Sequence, residues 1–499
     1  MSKGSIESLV ALLLGALTVL GFAPFEFFPL PILSLATLFI LWRGATSPRR
    51  AAWLGWLWGC GHFLCGVSWV YVSMHNVGGM FAPAAVAATL AFCAALALYP
   101  ALAGAVFARF KSGSPTRDAL LVAATWTLSE WLRGWLLTGF PWLASGYAQT
   151  PPSPLAGYAA VLGVYGIGLL AAVIAGLIAF CLRRGQTMRE RIGTLATMIA
   201  IISFGAILSH MDWTQPSGAP LTVSLLQGNI PQETKWDADR VPVSLRTYAK
   251  LVHSHPAQLV VLPETALPMF LDDVPHEYLS MLMEEGPTLT GVAAYTHEPD
   301  KPEGYVNIAL ALDKEKGLQA YSKRHLVPFG EYVPAGFAWF MTLMSMPLSD
   351  FSAGPPQQPP LEIAGQKIAA NICYEDLFGE EIIRALPEAT LLVNLSNTAW
   401  FGQSLAQPQH LQIARMRALE TGRTMLRATN TGMTAAIAPN GQVIGVLPAF
   451  TTDGLTVQVQ GYSGATPFVR WGNQLALLLA VGALLPALRL RWRQRHCGA

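Results

Sequence analysis

The first half of the chain constrains the fold most, because it is a succession of long apolar runs. A helix needs about 20 mostly apolar residues to cross a bilayer, where no water can satisfy its backbone groups. Seven runs fit: Ser5–Gly21, Phe25–Trp42, Ala51–Met74, Phe81–Phe107, Ala119–Phe140, Leu155–Leu182 and Ile192–His210. An eighth, Phe468–Leu488, lies near the C terminus. Composition agrees. Of the 499 residues, 52% are hydrophobic and only 12% charged, whereas ordinary globular chains carry roughly 25% charged residues. Only Lys3 precedes the first run, and the second follows almost at once, so the first reads as a retained anchor and not as a cleaved signal.

Basic residues give an orientation. Arg43, Arg49 and Arg50 follow the second run, Arg109, Lys111 and Arg117 the fourth, Arg183, Arg184, Arg189 and Arg191 the sixth, and Arg489, Arg491, Arg493 and Arg495 the eighth. Exits of the odd-numbered runs are nearly free of Lys and Arg. By the positive-inside rule both termini are cytoplasmic, and the polar segment after the seventh run lies outside the cytoplasm. Glu130 and Arg133 sit one turn apart in the fifth run. Intramembrane charges are functional candidates, and mutual pairing is the simpler reading of these two. Gly139-Phe140-Pro141-Trp142 and Gly146-Tyr147 read as an interfacial aromatic belt, with the lip of an active site as the alternative.

The expected organisation is a membrane domain at 1–213, a polar domain at 214–467, and a last span with a basic tail at 468–499. The polar domain alternates strands and helices, which argues for a layered α/β architecture. Leu221–Leu226, Gln258–Leu262, Thr288–Ala294, Asn307–Leu312, Leu318–Ser322, Leu391–Leu395, Met425–Ala428, Thr434–Ala438 and Gly441–Leu447 read as strands, with Lys367–Ile372 as the central one. Val241–His255, Tyr278–Glu285, Glu380–Leu386 and Gln409–Thr421 read as helices. His410 reads as a satisfied structural histidine. Arg415, Arg417, Arg423 and Arg427 read as a solvated face mixed with lipid-phosphate contacts, not as a nucleic-acid patch.

Three ionisable residues each follow an expected strand: Glu264 after Leu259–Pro263, Lys323 after Ala320–Ser322, and Cys373 after Ile368–Ile372. In open α/β sheets such strand ends converge on sites. Cys373 is the only cysteine between Thr214 and Trp471, so it has no disulfide partner in that region. A thiol can be a nucleophile if a base takes its proton, and a fixed ammonium can favour the thiolate and stabilise an oxyanion. The separate bland readings are a helix-terminal charge, a solvated lysine and a small core residue. No phosphate loop or metal cluster stands out, and no cofactor is implied.

Leu262-Pro263-Glu264-Thr265-Ala266, the Lys323–Pro334 stretch with its Pro-Phe-Gly-Glu-Tyr-Val-Pro, and Cys373-Tyr374-Glu375 resemble the three motifs of the nitrilase superfamily of C–N hydrolases. Behind a multi-span membrane half, they resemble its apolipoprotein N-acyltransferase family over essentially the whole chain. The resemblance implies a polytopic α-helical membrane domain joined to a four-layer αββα nitrilase-like sandwich on the periplasmic face of a bacterial inner membrane. It implies an acyl chain taken from a phospholipid, typically phosphatidylethanolamine, as a thioester, and passed to the α-amine of a diacylglyceryl-cysteine apolipoprotein. Cys373 is then the nucleophile, Glu264 the general base or acid, and Lys323 the transition-state stabiliser. Glu331 resembles the second, orienting glutamate. Trp236, Tyr374 and Glu375 match other positions tied to activity, and Asn307 is placed near the site. The partners implied are these two substrates and membrane lipid, with no nucleic acid, and the protein is expected to be a monomer.

A two-step thioester route implies ping-pong kinetics. Phe337–Met346 is a candidate lid over an acyl-enzyme, or an ordinary core helix. Two rivals remain at this level: a membrane-tethered amidase or nitrilase with a small substrate, and a transporter or lipid scaffold with a catalytically dead outer domain.

Overall fold

The computed structural model describes residues 2–181, 185–296, 304–334, 336 and 350–496, the last eleven by backbone alone. The candidate lid at 337–346 lies outside the described residues. The chain forms two compact units. One takes the chain up to Ser68, Val86–Met211 and everything from Arg470; the other takes Trp69–Ala85 and Asp212–Val469.

The first unit is helical. Each expected run contains helix, but only four of these helices are long and apolar enough to cross a membrane, among the described residues: Lys3–Gly21, Ala82–Phe110, Pro154–Cys181 and Met188–Leu208. Pro29–Gly44 and Gln474–Leu485 are shorter apolar helices. Pro48–Val67 and Pro115–Arg133 are further helices of 20 and 19 residues. Along Met188–Leu208 the large side chains of Ile192, Leu195, Ile199, Phe204 and Ile207 are exposed, a surface suited to lipid and costly in water. The unit's own core is aromatic, with Phe39, Trp42, Phe107 and Trp126 all buried in one cluster.

Two expectations about this unit change. Trp142 and Tyr147 are each 1% exposed, so they are not an interfacial belt. They belong to a buried loop that satisfies Glu130 and Arg133. Glu130 accepts from Ser145 N at 2.8 Å and from Ser145 Oγ at 2.7 Å. Arg133 Nη1 donates to the carbonyl oxygens of Phe140 and, at 2.7 Å, Trp142. The two charges are held through one loop and not by direct pairing. Trp69–Ala85, placed by sequence in the membrane domain, groups instead with the second unit, because the Pro48–Val67 helix ends earlier than expected.

The second unit is a sandwich. Its strands are β1 (Gln215–Gln227), β2 (Leu259–Val261), β3 (Leu267–Phe270), β4 (Thr288–Thr296), β5 (Gly304–Asp313), β6 (Gly317–Ser322), β7 (Leu361–Ile363), β8 (Gln366–Ile372), β9 (Leu391–Ser396), β10 (Thr424–Thr429), β11 (Ala435–Ile437), β12 (Val443–Val446) and β13 (Asp453–Ser463). Among the described residues one sheet runs β13-β1-β2-β4-β5-β6, with β3 also on β4, and the other runs β12-β11-β10-β9-β8-β7. Val223, Leu225 and Val261 of the first sheet pack with Ile368, Ile372, Val393 and Leu395 of the second in one buried core. On the outer face of the first sheet, Tyr248 and Val252 of the Val241–Ser254 helix and Leu282 of His276–Glu285 cover Val260 and Leu310. On the outer face of the second, Ala414 and Ala418 of Ala406–Thr421 cover Leu392 and Met425. The layers are therefore αββα. β8 is not central, since only β7 lies beyond it.

The arginines are the main correction in this unit. Arg417, Arg423 and Arg427 are at most 1% exposed, and Arg415 is half-buried. Arg417 pairs with Glu420 at 3.0 Å. Arg423 donates to the carbonyls of Ala389, Pro387 and Gly464. The Ala406–Thr421 helix is polar on most sides yet buried, because these charges find partners inside the fold. Breaking a buried pair costs about 3–5 kcal/mol by leaving one charge unmatched. Glu420→Ala should therefore lower the thermal midpoint of the full-length protein in detergent far more than Glu388→Ala on the surface.

Candidate active site

Strand direction brings the three candidate residues together. β1, β2 and β4 are parallel. β5 is antiparallel to β4 and β6 antiparallel to β5, so β6 again runs with β2. Glu264 and Lys323 therefore leave the same end of one sheet. Cys373 leaves β8, which is parallel to β9. Asn307 lies near the start of the reversed strand β5, hence at that same end, and its carbonyl accepts from Lys323 N at 2.8 Å.

Lys323 is 1% exposed. Its Nζ lies 2.7 Å from Glu331 Oε1 and 3.2 Å from Glu264 Oε1. Burial pulls the ammonium down, but the Glu264 and Glu331 carboxylates outweigh it and hold the group above the usual lysine value. Asn307 Nδ2 donates to Glu264 Oε1 at 2.8 Å and to Glu331 Oε1 at 3.3 Å. Glu331 is fixed in turn, accepting from Val327 N at 2.8 Å. The other oxygen of Glu264, Oε2, accepts from Asn397 N at 2.9 Å.

Cys373 has φ of +53°, a left-handed conformation uncommon for a residue with a Cβ. It opens the short helical turn Cys373–Leu377. Glu375 on that turn accepts from Ile372 N at 2.6 Å, Arg324 N at 2.7 Å, His325 N at 3.1 Å and Tyr321 Oη at 3.0 Å. It thus ties the cysteine turn to the chain after Lys323. Burial pushes the Glu375 carboxyl up to about 7 against those donors. Asn394 Nδ2 donates to the Cys373 carbonyl at 3.1 Å. Burial and the negative Glu264 push the Cys373 thiol up to about 12, although Lys323 opposes them. Lys323 favours the thiolate, as expected from sequence, but burial and Glu264 outweigh it.

Behind the turn lies a second ionic cluster. Asp376 is held by His410 Nε2 at 2.7 Å and by Arg427 Nη1 at 2.8 Å. Burial and Arg427 lower His410, so it is a neutral imidazole that donates to Asp376 and accepts from Arg427 at Nδ1. The structural reading of this histidine is the one its contacts fit. Tyr374 packs near His325 and Phe378, with ring centroids 5.7 and 5.2 Å away. Trp236 is half-buried in the turn after Gln232–Thr234. Its neighbour Lys235 makes the nearer approach, donating to the Glu264 carbonyl at 3.2 Å and to Thr265 Oγ1. Burial pulls Lys235 down to about 8, opposed by Glu264. Sequence reasoning missed Lys235, which follows no expected strand, and Asn397, which follows the expected strand Leu391–Leu395 but acts through its backbone N–H and not through an ionisable side chain. No group of three or more metal-binding side chains exists among the described residues.

Matches to known proteins agree with this arrangement. A family described as the apolipoprotein N-acyltransferase N-terminal domain matches residues 14–177, and carbon-nitrogen hydrolase matches residues 222–468. The chain is 48% identical to the apolipoprotein N-acyltransferase of Nitrosomonas europaea, over 97% of each chain. It is 48% identical to that of Ralstonia nicotianae, over 98% of this chain and 94% of the relative, and 47% identical to that of Chromobacterium violaceum with the same coverage.

Two outcomes follow from the geometry. A Cβ on Gly291 of β4 would lie 2.5 Å from Thr265 N and 2.6 Å from Glu264 Cα. Gly291→Ala should cost about 1–3 kcal/mol through overpacking, and should displace Glu264, so activity falls more than thermal stability. Because the thiol sits near 12, alkylation of Cys373 by iodoacetamide should be slow at pH 7. It should rise about tenfold per pH unit without levelling by pH 10, since only the thiolate reacts. Peptide mapping by mass separates Cys373 from the exposed Cys65.

Proposed function

The chain belongs to the apolipoprotein N-acyltransferase family of C–N hydrolase relatives, and from that premise we propose that it moves a fatty acyl chain from phospholipid to the N terminus of an apolipoprotein. The donor proposed is a phospholipid such as phosphatidylethanolamine. The acceptor is the α-amine of diacylglyceryl-cysteine. In the first step the Cys373 sulfur bonds to the ester carbonyl while its proton passes to Glu264. The developing oxyanion faces the Lys323 ammonium. Collapse breaks the ester bond, and Glu264 returns the proton to the leaving glycerol oxygen, releasing a lysophospholipid. In the second step the acceptor amine attacks the thioester, Glu264 removes a proton from nitrogen, and the sulfur leaves and regains a proton.

The observation that carries this reading is the buried set formed by Glu264, Lys323 and Glu331, with Cys373 close enough to feel the charge of all three. A general base within hydrogen-bond reach of its partners is worth about 10²–10⁴-fold in rate. Asn307 and Glu331 orient Glu264 and Lys323, while Glu375 and Tyr374 shape the turn of Cys373. Trp236 is proposed as a substrate-side residue. The apolar helices mark a membrane protein. An inner-membrane location, cytoplasmic termini, a periplasmic catalytic unit and a monomeric state complete the proposal.

Intact mass measurement of the detergent-purified protein tests it. After incubation with phosphatidylethanolamine, wild-type protein should gain one acyl chain that hydroxylamine removes. Cys373→Ala should gain none, and Glu264→Gln should acquire it at least about 10²-fold more slowly. A diacylglyceryl-cysteine peptide should then discharge the adduct. A folded protein that never acquires an acyl chain, yet releases ammonia from small amides, would be an amidase instead.

A further inference from the structure

Trp69–Ala85 interrupts the helical half in sequence, yet it belongs to the compact unit that carries Cys373. Ser73–Val77 within it is a π-helical turn, a form enriched at functional sites. Trp69, Met74 and Met80 of this arm are buried. The arm grips one turn of the sandwich. Ser73 Oγ donates to the Trp400 carbonyl at 2.8 Å. The rings of Trp69 and Phe401 lie 4.5 Å apart, centroid to centroid. Gly402 follows at φ of +56°, and a Cβ there would meet Val72 Cγ1 at 3.0 Å. Arm and turn are therefore in contact at three consecutive residues.

The gripped turn, Thr398–Phe401, starts immediately after Asn397. Asn397 supplies the backbone N–H that reaches Glu264 Oε2 at 2.9 Å. The other oxygen, Oε1, already receives Lys323 and Asn307. Oε2 is thus the oxygen with room to take a proton, and Asn397 N–H sets its direction. From the protein side the turn is held by Gln407 Nε2, which donates to the carbonyls of Thr398 at 3.0 Å and Gly402 at 3.2 Å. The arm adds its contacts at Trp400 and Phe401. A small displacement of a catalytic group can cost about 10²-fold in rate, so the position of this turn matters although none of its side chains reaches Glu264.

We propose that the Trp69–Ala85 arm is a positioning element for acyl transfer, in which Ser73 and Trp69 fix the Thr398–Phe401 turn and thereby the Asn397 N–H that orients Glu264. The proposal rests on the reading of Cys373 and Glu264 given above. It assigns the arm to the chemical step and not to binding of the donor.

Thioester formation on the full-length protein, followed by intact mass at saturating phosphatidylethanolamine, tests it. Ser73→Ala and Trp69→Ala should each slow the saturated rate about 10- to 100-fold. The half-saturating donor concentration should stay within about twofold, because uniform binding is untouched. Ser73→Thr keeps the hydroxyl and Trp69→Phe keeps a ring, and both should recover most of the rate. Phe401→Ala added to Trp69→Ala should cost nothing further. A folded Ser73→Ala with the wild-type saturated rate, or a change confined to the half-saturating concentration, would overturn the positioning role. A wild-type protein that forms no thioester would instead overturn the Cys373 reading, and the arm's role with it.

Discussion

A lysine with 1% exposure is the constraint on which the catalytic unit depends. An ammonium removed from water is costly unless its charge and its three donors are met. Lys323 is met by Glu264 and Glu331 together, and neither carboxylate comes from its own strand. Glu264 arrives from the end of β2, Glu331 from the loop after β6, and Asn307 bridges the two from β5. The cluster is therefore satisfied only when β2, β5 and the loop after β6 are all in place. The same condition places a carboxylate, an ammonium and their shared amide donor at one end of the sheet. Folding and assembly of the site are one event, enforced by the cost of an unmatched charge.

The thiol is governed by a different balance. Near a cation a thiolate is normally favoured, but burial and the negative Glu264 win here and leave the group neutral. In the thioester route proposed above, a thiol that ionises only on attack would resist adventitious oxidation and alkylation until substrate is present. The same dry surroundings would slow hydrolysis of a thioester, and that distinction separates a transferase from a lipase.

Much of the site was legible because strand ends are legible. Leu259–Val261 is wholly apolar, and Gln366–Ile372 carries the apolar core Ile368–Ala370 and Ile372, with Glu264 and Cys373 soon after the stops, and topology does the rest. Lys235 was not legible, since it reaches the Glu264 carbonyl from a turn whose course only the tertiary fold determines, and Asn397 was passed over at the end of β9 because it acts through a backbone N–H, which every non-proline residue carries. β13 was overlooked although Leu455, Val457 and Val459 alternate, because a polar strand pairing along β1 leaves no apolar run. The arginines of Ala406–Thr421 and β10 misled for a related reason. Charge on a helix is read as solvent-facing, but Arg417 has Glu420, and Arg427 has Asp376 and Asn394. Periodicity carries no record of a buried partner that is distant in sequence. The aromatic loop at 139–147 failed in the same way: Trp142 and Tyr147 are buried around charges that the loop backbone satisfies.

The second ionic cluster gives a reason for burying so much charge behind Cys373. Cys373 occupies a left-handed backbone conformation, which costs a residue with a Cβ about 1–3 kcal/mol and persists only if its surroundings insist on it. The turn is held on one side by Glu375, which ties Ile372 to the chain following Lys323. On the other side Asp376 is anchored to His410 and Arg427, and Arg427 also reaches Asn394, whose amide holds the Cys373 carbonyl. Adjacent residues of one turn are thus bound to opposite walls, one by a carboxylate to the catalytic side, the other by a carboxylate to the helix behind. Apolar packing could fill that volume, but it is not directional and would let the turn relax to an ordinary φ. Directional hydrogen bonds on both sides hold the strained turn in place.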